Sequence, residues 1–203
     1  DYTEYLPSLN FKELKYIFLS TQNRSYKNTL LVIKALNKLI RENGMDIILV
    51  MTGEYTTEID EYVRDNNLYK HVIALVRLPE REHEAFMCCA MLTIYASLYE
   101  GVFTNLFSQS VSLGVPIVFA KEETLMETIS SENNEEMFFD PYSVDDLCEK
   151  IMFAIQYRDQ LIEKQKSIYE RLRSRTWSDV VDEYVTVFRN AIAENTLRSS
   201  KNS

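Results

Sequence analysis

The stretch "MLTIYASLYEGVFTNLFSQSVSLGVPIVFA", residues 91–120, shows most clearly the repeating unit from which the fold is built. An apolar run of strand-forming residues occupies 91–97, apolar residues recur at helical spacing over 105–114, and a second apolar run covers 115–120. Strands that are apolar throughout are typical of parallel sheets, because helices cover both faces of such sheets. The stretch therefore predicts a strand–helix–strand unit with two parallel strands.

The same alternation extends over most of the chain. The predicted strands are 15–21, 46–53, 71–78, 91–97 and 115–120, and the predicted helices lie within 27–44, 56–67, 80–90, 105–114, 144–156, 158–174 and 177–194. Strands that alternate with amphipathic helices predict an α/β fold, a Rossmann-like doubly wound parallel sheet with helices on both faces. We expect an entry segment over 1–14, one Rossmann-like domain over 15–194 and a disordered tail over 195–203.

Composition and charge narrow the classes of partner. The formal net charge of −9 repels nucleic acid and anionic membranes, so a bound anion must find a local basic patch. The sequence has no apolar run of about 18 residues, which argues against a membrane span. Three cysteines without framework spacing are typical of reduced, intracellular thiols, and we expect a cytoplasmic protein.

We assign no catalytic role to the histidines or to the two adjacent cysteines. His71 and His83 are the only histidines, and we expect both at the surface or at a strand edge. Cys88 and Cys89 are adjacent in an apolar-periodic stretch, which favours small core-facing residues on a helix over a catalytic nucleophile, since no base is positioned beside them.

Two loops at predicted strand ends carry charged residues. Arg24 and Lys27 lie between the first strand and the first helix, while Glu100 follows the fourth strand and precedes a helix that begins near Thr104 or Asn105. Ligands of doubly wound sheets bind beyond the carboxyl ends of the strands, where helix N-termini attract anions. Taken singly, these residues are also compatible with solvated loop charges and an exposed acid before a helix cap. Two helix N-termini at one crevice favour a diphosphate site.

Residues 18–194 resemble the C-terminal, donor-binding domain of GT-B glycosyltransferases of family 4, the glycosyl transferases group 1. The resemblance is carried by five motifs in the family's order along the chain. They are "FLSTQNRSYKNTLLVIKALNKL", "LVMTGE", "HVIALVRLPEREHEAFMCCAMLTIYASLYEG", "SVSLGVPIV" and "FFDPYSVDDLCEKI".

The resemblance implies a role for each matching residue. Arg24 and Lys27 would bind the diphosphate of a nucleotide-sugar and stabilise it as it leaves, and Glu100 would contact the transferred sugar. Arg77 and Leu78 would flank the base. The implied catalytic residues are Arg24, Lys27 and Glu100; the implied donor-binding residues are Arg24, Lys27, Arg77, Leu78, Glu100, Gly101, Thr104, Asn105, Leu106 and Gln109. The resemblance implies no metal and no cofactor.

Gln109 departs from the family pattern. It stands where the family's second glutamate, which takes both ribose hydroxyls, is expected, at a separation of 109 − 100 = 9 residues from Glu100. A carboxylate accepts from two hydroxyls, whereas a glutamine carbonyl accepts and its amide donates. We expect Gln109 to contact ribose more weakly than a glutamate would.

The resemblance implies a metal-independent, retaining hexosyltransferase that uses a UDP-sugar or GDP-mannose and makes a polysaccharide or glycoconjugate. It also implies a separate N-terminal acceptor-binding lobe, through which the protein could touch a membrane, and self-association through the C-terminal helix. The alternative is a degenerate, non-catalytic lobe that acts as a partner or scaffold. A third class comprises other Rossmann-like domains, such as an epimerase half or a receiver, although the first strand lacks a receiver's acidic cluster.

Overall fold

The computed structural model describes residues 14–22, 24–76, 78–100, 105–129 and 134–201. The strands are β1 (Tyr16–Leu19), β2 (Ile48–Met51), β3 (Val72–Ala74), β4 (Leu92–Tyr95), β5 (Ile117–Ala120) and β6 (Phe138–Phe139). The helices are α1 (Thr29–Asn43), α2 (Thr57–Asp65), α3 (Glu80–Cys88), α4 (Asn105–Ser112), α5 (Glu123–Ile129), α6 (Val144–Gln156), α7 (Arg158–Arg173) and α8 (Trp177–Lys201). The chain forms two compact units, Asp1–Lys166 and Ser167–Ser203.

The six strands of the first unit form one parallel sheet in the order β3-β2-β1-β4-β5-β6. This order confirms the predicted doubly wound sheet. The chain adds strands outward in one direction from β1 to β3 and in the other direction from β4 to β6. The order therefore reverses between β1 and β4, and a crevice opens at the carboxyl ends of these two strands.

Burial of the central strands explains their composition. All four residues of β1 and all four of β4 are buried, and the largest enclosed side chains include Phe18 and Phe119. A strand covered on both faces gains free energy from every apolar side chain, at about 25 cal/mol per Å² of apolar surface. Helix α1 ends at Gly44, which adopts the left-handed conformation (φ 65°) and donates its N–H to the carbonyl of Leu39. A glycine adopts this left-handed conformation without steric cost, so it can end the helix in this way.

Several elements differ from the sequence-based expectations. The sequence did not indicate β6 or α5, and α8 continues to Lys201, so it includes most of the segment 195–203 that was predicted to be a disordered tail. Cys88 is exposed and Cys89 half-buried, which corrects the expectation that both face the core, because they lie at the end of α3 where the helix leaves the core. No helix among the described residues is long and apolar enough to cross a bilayer.

Helix α8 of the second unit carries an exposed apolar stripe. The side chains of Trp177, Tyr184, Phe188 and Ile192 are each at least 60% exposed. The sequence predicts that part of this stripe is either exposed or covered by self-association, and the structure confirms the exposure. Self-association of the helix stays a prediction.

Gln165 on α7 completes the hydrogen bonding of β5. Its side chain is fully buried, its amide donates to the Ile117 carbonyl at 2.6 Å, and its carbonyl accepts from the Ile117 N–H at 3.1 Å. Strand β6 pairs with β5 only at Phe119 and Ala120. The glutamine side chain therefore takes the place of a strand partner at Ile117.

We expect Gln165→Leu to lower the free energy of unfolding by about 2–4 kcal/mol, because it leaves one buried N–H and one buried carbonyl without partners. The control is Gln160→Leu, an exposed position on the same helix, which should change stability by less than about 0.5 kcal/mol. Urea unfolding of both variants measures the difference. Equal effects of the two substitutions would contradict the role of Gln165.

Candidate functional site

The crevice between β1 and β4 brings together two of the residues that the sequence singles out. Lys27 ends a 3-10 turn, Ser25–Lys27, that follows β1, and Glu100 follows β4. The Lys27 Nζ donates to Glu100 Oε1, and the two side chains are only 15% and 25% exposed. A cation and an anion from different strand ends thus meet where the strand order reverses.

Two further contacts tie these loops together. The Leu98 N–H donates to the Tyr26 carbonyl at 2.8 Å, and the rings of Tyr26 and Tyr99 stack with their centroids 5.2 Å apart. Arg24 is exposed and donates from Nη1 to the Tyr26 hydroxyl at 3.0 Å, while the Lys27 Nζ lies 5.4 Å from the Tyr26 ring centroid. Both cations therefore contact Tyr26, Arg24 at its hydroxyl and Lys27 at its ring, which brings two positive charges into one loop.

Glu100 accepts a second hydrogen bond within its own loop. The Ser97 hydroxyl donates to Glu100 Oε1 at 3.2 Å, so both bonds of this carboxylate end on one oxygen. Ser97 is buried, and it fixes the direction from which the carboxylate reaches the crevice.

The remaining predicted site residues lie around this pair or fall outside the described residues. Asn105 is exposed at the first position of α4, Leu106 follows it and is buried, and Gln109 is half-buried one turn later. Leu78 is half-buried just before α3. Arg77, Gly101 and Thr104 lie outside the described residues.

A groove of about 570 Å³ opens beside the crevice, between the first turns of α1 and α2. Its lining includes Thr21, Gln22, Arg24, Asn28, Glu54 and Thr56. Arg24 is the only basic residue among the described residues that line it, so the groove and the crevice share this cation.

Sequence reasoning missed this groove, and Gly53 at the end of β2 is the one signal that could have indicated it. A Cβ at Gly53 would lie 3.2 Å from Thr21 Cγ2, so glycine allows the ends of β1 and β2 to approach closely.

His83 lies nearer to the strand ends than its sequence context suggests. It is half-buried on α3, its Nε2 lies 2.9 Å from the Ser20 hydroxyl at the end of β1, and its ring meets Phe18 edge-to-face. Burial lowers the pKa of His83, while the negative charges of Glu84 and Glu80 oppose this shift. The neutral imidazole is therefore favoured in the folded state. His71 is also half-buried, next to β3, with Nδ1 3.3 Å from the Ile47 carbonyl oxygen.

This geometry predicts a pH dependence of stability. Because the pKa of His83 is lower in the folded state than in the unfolded state, the unfolded state binds the proton more tightly. The free energy of unfolding should therefore fall as the pH drops through the ordinary histidine pKa of about 6.5 and on past the lowered value. His83→Gln removes this contribution and should reduce the loss. Urea unfolding of parent and variant above and below this range measures it, and equal losses in the two proteins would contradict the assignment.

The described residues contain no group of three or more His, Cys, Asp or Glu side chains that could hold a metal ion. The strand-end charges are instead Lys27, Arg24 and Glu100, which suit the binding of an anion next to a group with hydroxyls.

Comparison with known proteins identifies the family to which this chain belongs. The model of the family "Glycosyl transferases group 1" matches residues 1–175. The chain belongs to this family. Membership confirms the resemblance read from the five motifs and confirms that the chain is part of a glycosyltransferase. None of the curated proteins compared with the chain matches it.

Solved glycosyltransferase structures share the fold. The catalytic domain of cholesterol-α-glucosyltransferase from Helicobacter pylori superposes with a TM-score of 0.62 at 18% identity, over 80% of this chain and 99% of that one. Sucrose-phosphate synthase from Thermosynechococcus elongatus gives 0.69 at 16% identity, over 96% of this chain and 49% of that one. The HepE protein of Anabaena, solved with UDP and glucose, gives 0.70 at 14% identity, over 93% and 51%.

These similarities confirm the predicted fold, a Rossmann-like lobe of the GT-B type. The chain spans about half the length of the sucrose-phosphate synthase and HepE chains.

Proposed function

We propose that the chain is the donor-binding domain of a group 1 glycosyltransferase and binds a nucleoside diphosphate sugar across the carboxyl ends of β1 and β4. The observation that carries this proposal is the meeting of Lys27 and Glu100 at the reversal of the strand order. A nucleotide-sugar has an anionic diphosphate next to a sugar rich in hydroxyls. One cation and one carboxylate side by side match this pair of groups.

Lys27 and Arg24 hold the diphosphate in this proposal. Both belong to the loop between β1 and α1, and the first N–H groups of α4, near Asn105 and Leu106, add a positive dipole end from the other side of the crevice. Negative charge grows on the diphosphate as the bond to the sugar breaks. Fixed cations at that point stabilise the transition state by several kcal/mol, so the proposal requires no metal ion or other cofactor.

Glu100 accepts hydrogen bonds from the transferred sugar. Its Oε1 accepts hydrogen bonds from Ser97 and Lys27. A diphosphate that attracts Lys27 therefore frees the carboxylate to accept from sugar hydroxyls. Gln109, half-buried on α4, contacts ribose, and the segment of Arg77 and Leu78 flanks the base. Gly101 and Thr104 complete the set of donor-binding residues in this proposal.

The donor is a UDP- or GDP-linked hexose in this proposal, and HepE, solved with UDP and glucose, supports the UDP form. The family resemblance implies retention of configuration and a polysaccharide or glycoconjugate product, and the cysteine pattern implies a cytoplasmic location. All three stay predictions. Transfer needs an acceptor site, which we assign to a second lobe, because the chain spans about half of the two longer structures compared. The isolated chain should therefore bind donor without transferring sugar.

Isothermal titration of the 203-residue chain with UDP, GDP, uridine and guanosine tests the proposal. We expect Lys27→Ala and Arg24→Ala each to weaken binding of the diphosphate by about 1.5–3 kcal/mol, the range for hydrogen bonds to charged groups, and to leave nucleoside binding unchanged. Lys38→Ala is the matched control. Lys38 lies on α1 and, like Lys27, forms an ion pair with a carboxylate, in this case Asp145 of α6.

Two outcomes count against the proposal. Equal losses for nucleoside and diphosphate would show that Lys27 and Arg24 do not touch phosphate. Failure of the parent chain to bind either diphosphate would favour the alternative, a degenerate lobe that acts as a partner or scaffold.

Glu100→Gln should separate the two roles of the ion pair. Without the carboxylate charge, Lys27 is no longer held and the site no longer repels an anion, so affinity for UDP or GDP should rise by about 1 kcal/mol. The additional affinity that the sugar confers should fall, because the amide accepts fewer hydroxyls. Titration with UDP and UDP-glucose, or GDP and GDP-mannose, measures both the affinity for the diphosphate and the additional affinity from the sugar. The control is Glu54→Gln at the end of β2, and a loss of diphosphate affinity in Glu100→Gln would contradict the assignment.

A further inference from the structure

Tyr95, the last residue of β4, has a buried hydroxyl that makes no hydrogen bond of normal geometry with a described residue, although the Ser97 hydroxyl lies close to it. The side chain is 5% exposed, and its ring packs against Phe119 with centroids 6.2 Å apart. A buried polar group without a partner lowers stability, and such groups are rare in folded proteins. The hydroxyl of Tyr95 therefore calls for an explanation beyond packing.

The fold does satisfy a second buried tyrosine of the same sheet. Tyr16, the first residue of β1, donates its hydroxyl to the Phe86 carbonyl at 2.5 Å. The two tyrosines differ in their place on the strands: Tyr16 lies at the amino end of β1, and Tyr95 lies at the carboxyl end of β4, where the crevice opens.

Glu100 offers the complementary unsatisfied atom. Both of its hydrogen bonds, from Lys27 and Ser97, end on Oε1, and Oε2 accepts none from the described residues. Burial raises the pKa of Tyr95 and the negative charge of Glu100 raises it further, while the neighbouring Ser97 hydroxyl lowers it. The net shift is upward, so the hydroxyl keeps its proton at neutral pH and can donate. One strand end thus holds a donor without an acceptor and an acceptor oxygen without a donor.

We infer that Tyr95 is a positioning residue whose hydroxyl donates to Glu100 Oε2 when a bound diphosphate draws Lys27 away, and so holds the carboxylate toward the transferred sugar. This inference rests on the proposed function. A carboxylate that loses its cation in a partly buried site needs replacement donors. Ser97 already supplies one, and Tyr95, two residues before Ser97 at the same strand end, supplies the second.

Tyr95→Phe tests the inference because it removes one oxygen and keeps the ring. The melting temperature should rise by about 2–4 °C, since an unpartnered buried group is lost. Affinity for UDP-glucose or GDP-mannose, whichever the parent binds, should fall about three- to tenfold, while affinity for the matching diphosphate should stay within about twofold. The control is Tyr16→Phe, which should lower the melting temperature and leave both affinities unchanged.

A double variant shows whether Tyr95 acts through Glu100. In a Glu100→Ala background, which has no acceptor, Tyr95→Phe should cause no further loss of sugar-dependent affinity. A sugar-specific loss that persists in that background, an equal loss for diphosphate and nucleotide-sugar, an absence of any loss, or a lower melting temperature of Tyr95→Phe would each overturn the inference. Failure of the parent to bind UDP or GDP would instead overturn the proposed function, and this inference with it.

Discussion

The parallel pairing of β1 with both β2 and β4 is the constraint on which the site depends. In this arrangement β1 is enclosed on both sides by strands and on both faces by side chains, so its four residues are all buried. The chain must then leave β1 toward one neighbour and leave β4 toward the other. The segments that follow β1 and β4 carry Lys27 and Glu100, and these two side chains meet where the strand order reverses. The crevice is thus a consequence of topology.

The Lys27–Glu100 pair has a double effect on this crevice. A partly buried lysine and a partly buried glutamate each lose hydration, and their mutual attraction offsets that cost while the site is empty. The same pairing occupies the two groups that we assign to diphosphate and sugar. In the proposed function, binding is an exchange of ion pairs: a diphosphate, with more negative charge than one carboxylate, competes for Lys27 and releases Glu100.

Local sequence signals account for most of the fold, and their limits are visible in particular elements. Helix α6 has the bounds expected from sequence, Val144–Gln156, because Ser143 caps it and two acidic residues follow in its first turn. Strand β6 has two residues and α5 has seven, so neither is long enough to show a period. The pairing of Phe119 with Phe138 defines β6, and a contact across 19 residues of chain leaves no local pattern.

For the site, too, the sequence predicts which loops take part but not which atoms meet. The rule that ligands bind beyond strand ends selects the loops of Lys27 and Glu100 from sequence, yet it does not say that the two side chains meet or that Tyr26 stacks on Tyr99. Tyr16 and Tyr95 both read as apolar residues of buried strands. At the amino end of β1 a backbone carbonyl of α3 accepts from the Tyr16 hydroxyl. At the carboxyl end of β4, where the crevice opens, the Tyr95 hydroxyl has no hydrogen bond of normal geometry among the described residues. The position of a buried tyrosine along a central strand therefore decides which partner its hydroxyl can find. At the amino end the partner is a fixed backbone carbonyl, whereas at the carboxyl end, in our inference, it is the Glu100 side chain, which moves when the donor binds.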